Sequence, residues 1–393
     1  MVINRKWTAG LIVALIFAAL LVRFLDREPK RHYCDFQVYH HTALKFLAHQ
    51  DIYFRDTQAV TPFKYSPFFA FCFAPIGVLP IKAAATLFFT LNIILTIILF
   101  RLACEVTGSR RHWFLFVLGA LFLSRFVFLV WDSGQVTILM GVLILAGLIS
   151  LSKGKNASAG ALLAASILIK YTPALFLPYL IIRKQFKAVG WTMVFIVIWL
   201  MVPALVVGIH KEFEYLSAWI PSIMGTSLDT WSYIVPKNQS LISMAIRLFS
   251  ESGFAINVTH LTFEQGKNLG YAFAAFLYTL ALIPPFGRPR DQRIDYALLF
   301  SFLPLFNPNG WELNFVALAV PYMLLIGYLF ETRWKDYFVV ACVIAGFLVT
   351  SLLARDIVGN NLQNLGQLYC DVTIGTLLLV SALLKLKFVS SLK

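Results

Sequence analysis

The residues able to do chemistry in this chain are few and widely spaced. Tyr33-Cys34-Asp35-Phe36-Gln37-Val38-Tyr39 sets one carboxylate between aromatic and apolar neighbours, with only Asp26, Glu28, Asp51 and Asp56 as other acids nearby. A carboxylate so placed can take the proton of a hydroxyl as a general base, or it can cap a helix. Cations and amides follow at intervals: Phe63-Lys64-Tyr65-Ser66-Pro67, Gly134-Gln135, Lys170-Tyr171-Thr172-Pro173, Lys237-Asn238-Gln239-Ser240 with Arg247, and Asn307-Pro308-Asn309-Gly310-Trp311-Glu312-Leu313-Asn314. Each has a plain alternative. Lys64 and Tyr65 can anchor at headgroup level, Lys170 can snorkel, and Glu312 can simply favour a helix N-terminus.

What is missing narrows the chemistry. No Asp-x-Asp, His-x-x-x-His or Cys/His cluster offers a metal site, and the five cysteines lack metal spacing. No Walker A or Gly-rich fingerprint offers a nucleotide site, so no cofactor is expected. Three Asn-x-Ser/Thr matches are too common a pattern to carry weight. Carboxylate, cations and aromatics without a nucleotide motif point to a lipid-borne substrate.

The elements that must hold these residues are membrane helices. Of 393 residues, 59% are hydrophobic, 15% aromatic and 13% charged, about half the charged share of a soluble domain. Mean hydropathy is +0.77. The net charge of +14 comes from 33 Lys and Arg against 19 Asp and Glu. Its excess lies in short tracts between apolar runs, the positive-inside pattern and not a nucleic-acid surface. The runs are about 7–25, 83–103, 113–131, 136–152, 158–182, 189–209, 269–286, 294–306, 312–330, 336–353 and 371–388. The first is too long and lacks the cleavage site of a removable signal, so it reads as a retained anchor. The expected fold is all-α and polytopic, one membrane domain over 1–393, with long extracytoplasmic loops at 26–82 and 210–268.

Charge parity adds one constraint. With the N-terminus cytoplasmic, eleven simple crossings place Arg183, Lys184, Lys187 and the later basic tracts outside. If 158–182 instead enters and returns, Arg290, Arg293, Arg333, Lys335, Lys385 and Lys387 all fall inside with both termini. Pro173 lacks a backbone donor and disfavours helix at Thr172, and each half is too short to cross alone. This predicts about twelve membrane segments, two of them short halves meeting near Lys170. In the first loop, 35–50 predicts an interfacial helix with Phe36, Tyr39, Ala43, Phe46 and Leu47 on one face.

Taken in order, these motifs resemble the GT-C-type membrane glycosyltransferases of family 87, relatives of polyprenol-phosphate-mannose-dependent α-(1→2)-mannosyltransferases once catalogued as a domain of unknown function (DUF2029). The matching residues are Asp35, Val38-Tyr39, Tyr53, Tyr65-Ser66-Pro67, Pro75 to Pro80, Gly134-Gln135-Val136, Lys170-Tyr171-Thr172-Pro173 and Asn238-Gln239-Ser240, and the likeness spans about 33–322. Two features depart from the family. Asn314 stands where a histidine is frequent, and Ala48-His49-Gln50-Asp51 lacks the family's glycine.

The resemblance implies inverting, metal-independent transfer of a hexose, mannose first, from a polyprenyl-phosphate sugar to a lipid-linked or glycan acceptor. It places the site on the extracytoplasmic side of the cell (inner or plasma) membrane. Asp35 is the expected base. Lys64, Tyr65, Gln135, Lys170, Asn238, Gln239, Trp311, Glu312 and Asn314 are the expected substrate contacts, with Lys170, Lys64, Arg125 or Arg247 meeting the donor phosphate. The alternatives are another polyprenyl-phosphate sugar on the same fold, or a non-enzymatic lipid or sugar-lipid transporter.

Overall fold

The computed structural model describes residues 22, 34–53, 63–109, 113–224, 230–251, 258–287 and 289–389. The apolar run at 7–25 lies almost wholly outside them. The elements between are helical throughout, with only isolated bridges at Asn238–Trp311 and Ser250–Leu261 among the described residues.

In chain order the helices are α1 (Cys34–Leu47), α2 (Pro67–Gly77), α3 (Ile81–Val106), α4 (Trp113–Phe122), α5 (Ser124–Ser133), α6 (Thr137–Ser152) and α7 (Asn156–Ile169). A 3-10 turn at Thr172–Leu175 leads into α8 (Phe176–Ile182), then α9 (Phe186–Met201), α10 (Ala204–Val207), α11 (Ile209–Met224), α12 (Thr230–Ile234) and α13 (Leu241–Phe249). The chain continues with α14 (Phe263–Leu282), α15 (Gln292–Leu305), a 3-10 helix Glu312–Leu318, α16 (Ala319–Glu331), α17 (Tyr337–Phe347), α18 (Arg355–Leu368) and α19 (Asp371–Phe388). Among the described residues three helical stretches, Ile81–Val106, Phe186–Val207 and Glu312–Glu331, are long and apolar enough to cross a membrane. Counting two bent pairs, broken by 63° at Leu123 and by 94° after Leu352, gives up to five. Other apolar runs form shorter helices.

The helix expected over 35–50 is α1, and its buried face is nearly the expected one. Phe36, Tyr39, Ala43 and Phe46 are buried, whereas Leu47, at the last turn, is 37% exposed. Where the family's glycine is missing, His49 takes a left-handed φ of +57°, the conformation that favours glycine at a helix end. The turn it makes returns the Gln50 N–H to the Lys45 carbonyl at 2.9 Å.

The segment 158–182 is broken at Lys170, whose φ of −143° and ψ of 136° are extended. Thr172 itself is helical, and Pro173 sits in the first turn of the new 3-10 segment, where its missing N–H is harmless. The two halves run in opposite directions. Along α7 and α9, Gly160 meets the backbone of Trp191 and Thr192. Eight residues further on each helix, Trp199 stacks on Phe68, whose neighbour Ser66 donates to the Leu168 carbonyl at 2.7 Å. Those helices are therefore parallel and start at the same end. After the break, Tyr171 donates to Asn307 at 3.1 Å, Phe176 meets Phe300, and Tyr179 meets Tyr296 and lies under Arg290. The second half thus descends antiparallel to α15, back to the end it came from.

That end collects the basic turns. Lys153 pairs with Glu105 at 3.8 Å, Arg293 reaches Gly108, Arg290 and Lys387 flank Asp295, and Lys385 pairs with Asp336 at 2.6 Å. The opposite end holds α1, the break at Lys170 and the turn at 307–310.

Candidate active site

Gly134 sets the site's geometry. It ends α5 with φ +66° and returns its N–H to the carbonyls of Val130 and Trp131. A Cβ there would lie 2.5 Å from the Phe36 Cβ. Only glycine meets both demands, a left-handed turn and the close approach of α1. The next residue, Gln135, is thereby turned into the space between α1, the Tyr65 loop and the start of α6.

The Gln135 amide has one available orientation. Its Oε1 receives the Tyr39 hydroxyl at 3.0 Å, the Val136 N–H at 3.1 Å and the Tyr65 hydroxyl at 3.3 Å. The two tyrosine hydroxyls are 2.7 Å apart. With the carbonyl surrounded by donors, the amide nitrogen is left to turn toward Asp35, where it favours the charged carboxylate. Tyr65 is placed in turn by Tyr53, whose hydroxyl donates to its carbonyl at 2.8 Å.

Opposite this cluster is Lys170. At the break its side chain reaches the buried Thr137 Oγ1 at 2.8 Å and Asn314 Oδ1 at 2.9 Å. Asn314 is oriented by its own amide, which donates to the Asn309 carbonyl at 3.0 Å. Two ammonium hydrogens are thus engaged among the described residues, which leaves one that can meet an anion. Asp35, in the first turn of α1, is partly exposed. Burial raises its carboxyl above the ordinary range, while the Lys170 charge and the Gln135 hydrogen bond pull it back. A partly desolvated carboxylate facing a cation can accept a proton and has an anion-binding partner beside it.

The structure brings together Asp35, Tyr65, Gln135, Lys170 and Asn314. Asn238 and Gln239 serve the adjoining turn. Asn238 donates to the Ser232 and Pro308 carbonyls and accepts the Gly310 and Ser240 N–H groups, and both residues are fully buried. Gln239 donates to the carbonyls of Pro236 and Gln367. Trp311 pairs with Asn238 through the backbone. The carbonyl of Lys64, beside Tyr65, accepts from Trp219 Nε1 at 3.4 Å.

Glu312 lies deeper, held by Arg125 at 2.7 Å and by Gln367 at 2.6 Å. Arg125 also reaches Asp371 at 3.2 Å and the Thr350 carbonyl at 2.8 Å. Arg247 is buried among the carbonyls of Val235 and Asn238 and the Cys370 sulfur. Both arginines are thus committed within the protein.

Sequence reasoning names neither Tyr39 nor Thr137 as a site residue, although Tyr39 belongs to the Val-Tyr pair of the resemblance. Tyr39 sits on the apolar stripe of α1 and reads as core, although a buried phenol needs a partner. Thr137 opens α6 and reads as an ordinary helix start. Among the described residues no three His, Cys, Asp or Glu side chains gather as a metal site.

No curated protein and no solved structure matches this chain significantly. Among protein families, glycosyltransferase family 87 matches residues 63–308. The match takes in Tyr65, Gln135 and Lys170 and stops short of Asp35 on one side and Asn314 on the other. Since it covers more than half of the 393 residues, the chain belongs to glycosyltransferase family 87, an enzyme family that transfers sugars.

Proposed function

We propose that the chain transfers mannose from a polyprenyl-phosphate donor to a lipid-linked or glycan acceptor at the end of the molecule that carries Asp35. The observation that carries this reading is the Lys170 ammonium, held by Thr137 and Asn314 at the tip of the broken segment, within electrostatic reach of the Asp35 carboxylate. A polyprenyl phosphate is already a good leaving group, so the step needs a base and an anion partner, and no general acid. Asp35 takes the acceptor hydroxyl's proton as that oxygen bonds to the anomeric carbon from the face opposite the phosphate. The anomeric C–O bond breaks, and its electron pair leaves with the phosphate. Lys170 stabilises the charge that appears there. A single displacement inverts the anomeric centre.

Tyr65 and Gln135 orient the base, and Asn314 and Thr137 hold the cation. Lys64 and Trp311 are the remaining proposed substrate contacts, and Asn238, Gln239 and Glu312 hold the turns behind them. The same reading takes twelve membrane segments with both termini cytoplasmic. It puts the basic end on the cytoplasmic side of the cell membrane and the Asp35 end outside, as the positive-inside bias requires.

Purified protein given radiolabelled polyprenyl-phosphate mannose and a membrane extract as acceptor is expected to yield a new glycolipid or glycan. Product from a different polyprenyl-phosphate sugar alone would change the donor and keep the site. Absence of product from every such sugar, with movement of the donor across vesicles, would replace the enzyme by a transporter.

A further inference from the structure

At the basic end a surface cavity of about 530 Å³ is lined by Tyr328, Thr332, Lys335, Asp336, Tyr337, Phe338 and Lys385. It lies between the end of α16, the start of α17 and the last turn of α19, far along the chain from the residues around Asp35. Its one carboxylate is already engaged. Asp336 accepts from the Lys385 ammonium at 2.6 Å, the Tyr328 hydroxyl at 3.0 Å and the Val339 N–H at 3.2 Å, which caps α17. Lys385 also lies over the Phe338 ring at 5.3 Å. Lys335, exposed on the cavity wall, has no carboxylate partner among the described residues. The lining therefore carries two ammonium groups against one compensated carboxylate, a net positive charge.

The turn that presents Lys335 is strained. Arg333 and Trp334 take φ of +51° and +60° in succession, a left-handed conformation that is unfavourable without glycine. The fold closes it by returning the Trp334 N–H to the Leu329 carbonyl at 2.8 Å. Around the rim Trp334 is 40%, Phe338 49% and Tyr337 81% exposed. Exposed Trp and Tyr at the ends of apolar helices are what the membrane interface favours. A soluble anion would leave that aromatic rim without a purpose.

We propose that this cavity holds the phosphodiester headgroup of an anionic membrane lipid. Lys335 and the remaining hydrogens of Lys385 contact the phosphate, and Trp334, Tyr337 and Phe338 lie at the level where the headgroup meets its acyl chains. Basic pockets between helices at the positive face recognise such headgroups by this chemistry. The proposal is independent of the sugar-transfer reading, because no residue of the Asp35 site takes part.

The test is lipid binding by the whole purified chain in detergent, followed by native mass spectrometry and by thermal melting with added lipid. Phosphatidylglycerol is expected to remain bound and to raise the melting temperature more than phosphatidylcholine at equal concentration. Lys335→Gln is expected to weaken phosphatidylglycerol binding about five-fold, and Lys335→Glu to weaken it further. Both variants should melt as wild type does without lipid, since Lys335 is exposed. Unchanged phosphatidylglycerol binding by Lys335→Glu would overturn the proposal. So would equal binding of the two lipids, or saturation by glycerol phosphate at the concentration at which the lipid acts.

Discussion

The ammonium of Lys170, held by Thr137 and Asn314, lies near enough to Asp35 for its charge to lower the carboxyl's pKa. One residue belongs to the first turn of α1 and the other to the break between α7 and the 3-10 turn. The fold joins them because the segment returns at Lys170 and does not continue.

That pairing makes Asp35 the first residue to change. Asp35→Asn keeps the size of the side chain and can still accept from Gln135, but it cannot take a proton. The variant is expected to fold and bind the donor normally and to lose roughly 10²–10⁴-fold in turnover. A loss of stability of about 1 kcal/mol with turnover intact would mark Asp35 as a helix cap alone.

The pH profile gives a second reading of the same pair. A general base works when deprotonated, so the rate falls as pH drops through its pKa. Burial raises Asp35 and Lys170 lowers it, so removing the lysine leaves burial unopposed. Lys170→Met is expected to weaken donor binding and to move the acid limb of kcat/KM to higher pH. An acid limb in the same place would show that Lys170 does not act on the base.

Arg125 is expected to be structural. Arg125→Ala strands Glu312 and Asp371, both buried, and breaking such a pair costs about 3–5 kcal/mol. Denaturant melts of the variant should show that loss. Protein that survives should bind donor as wild type does. A variant of normal stability with impaired donor binding would restore Arg125 as a phosphate partner.

Gly134→Ala tests how the site is assembled. The added methyl meets the Phe36 Cβ at 2.5 Å on a left-handed residue. Strain and overpacking together should lower stability by about 2–4 kcal/mol. Turnover should fall as well, because α1 must withdraw and take Asp35 with it.

Labelling decides the topology. Cysteines placed at Lys184 and Arg290, on turns that share the basic end, are expected to react only after intact cells are opened. External labelling of either would invert or dismantle the returning segment.

The sequence by itself determined the helical class, the buried face of α1, the break beside Lys170 and the grouping of the basic turns. Those follow from local causes. A 3.6-residue apolar period selects one face of a helix, a lysine and a proline in an apolar run interrupt it, and basic tracts gather on one side of a bilayer. The tertiary structure alone decided which polar residues face the site and which are internal ties. Arg125, Arg247 and Lys170 look alike in sequence, as cations in or near apolar runs, and so do the amides of Gln135, Asn238 and Gln239. Their fates differ by what the fold brings within hydrogen-bond reach. Arg247 and Asn238 meet backbone carbonyls and N–H groups of distant turns, Arg125 meets Glu312 and Asp371, and Lys170 and Gln135 meet the polar groups around Asp35, namely Thr137, Asn314 and the two tyrosines. A buried donor takes whatever acceptor packing supplies, and no spacing along the chain specifies which that is.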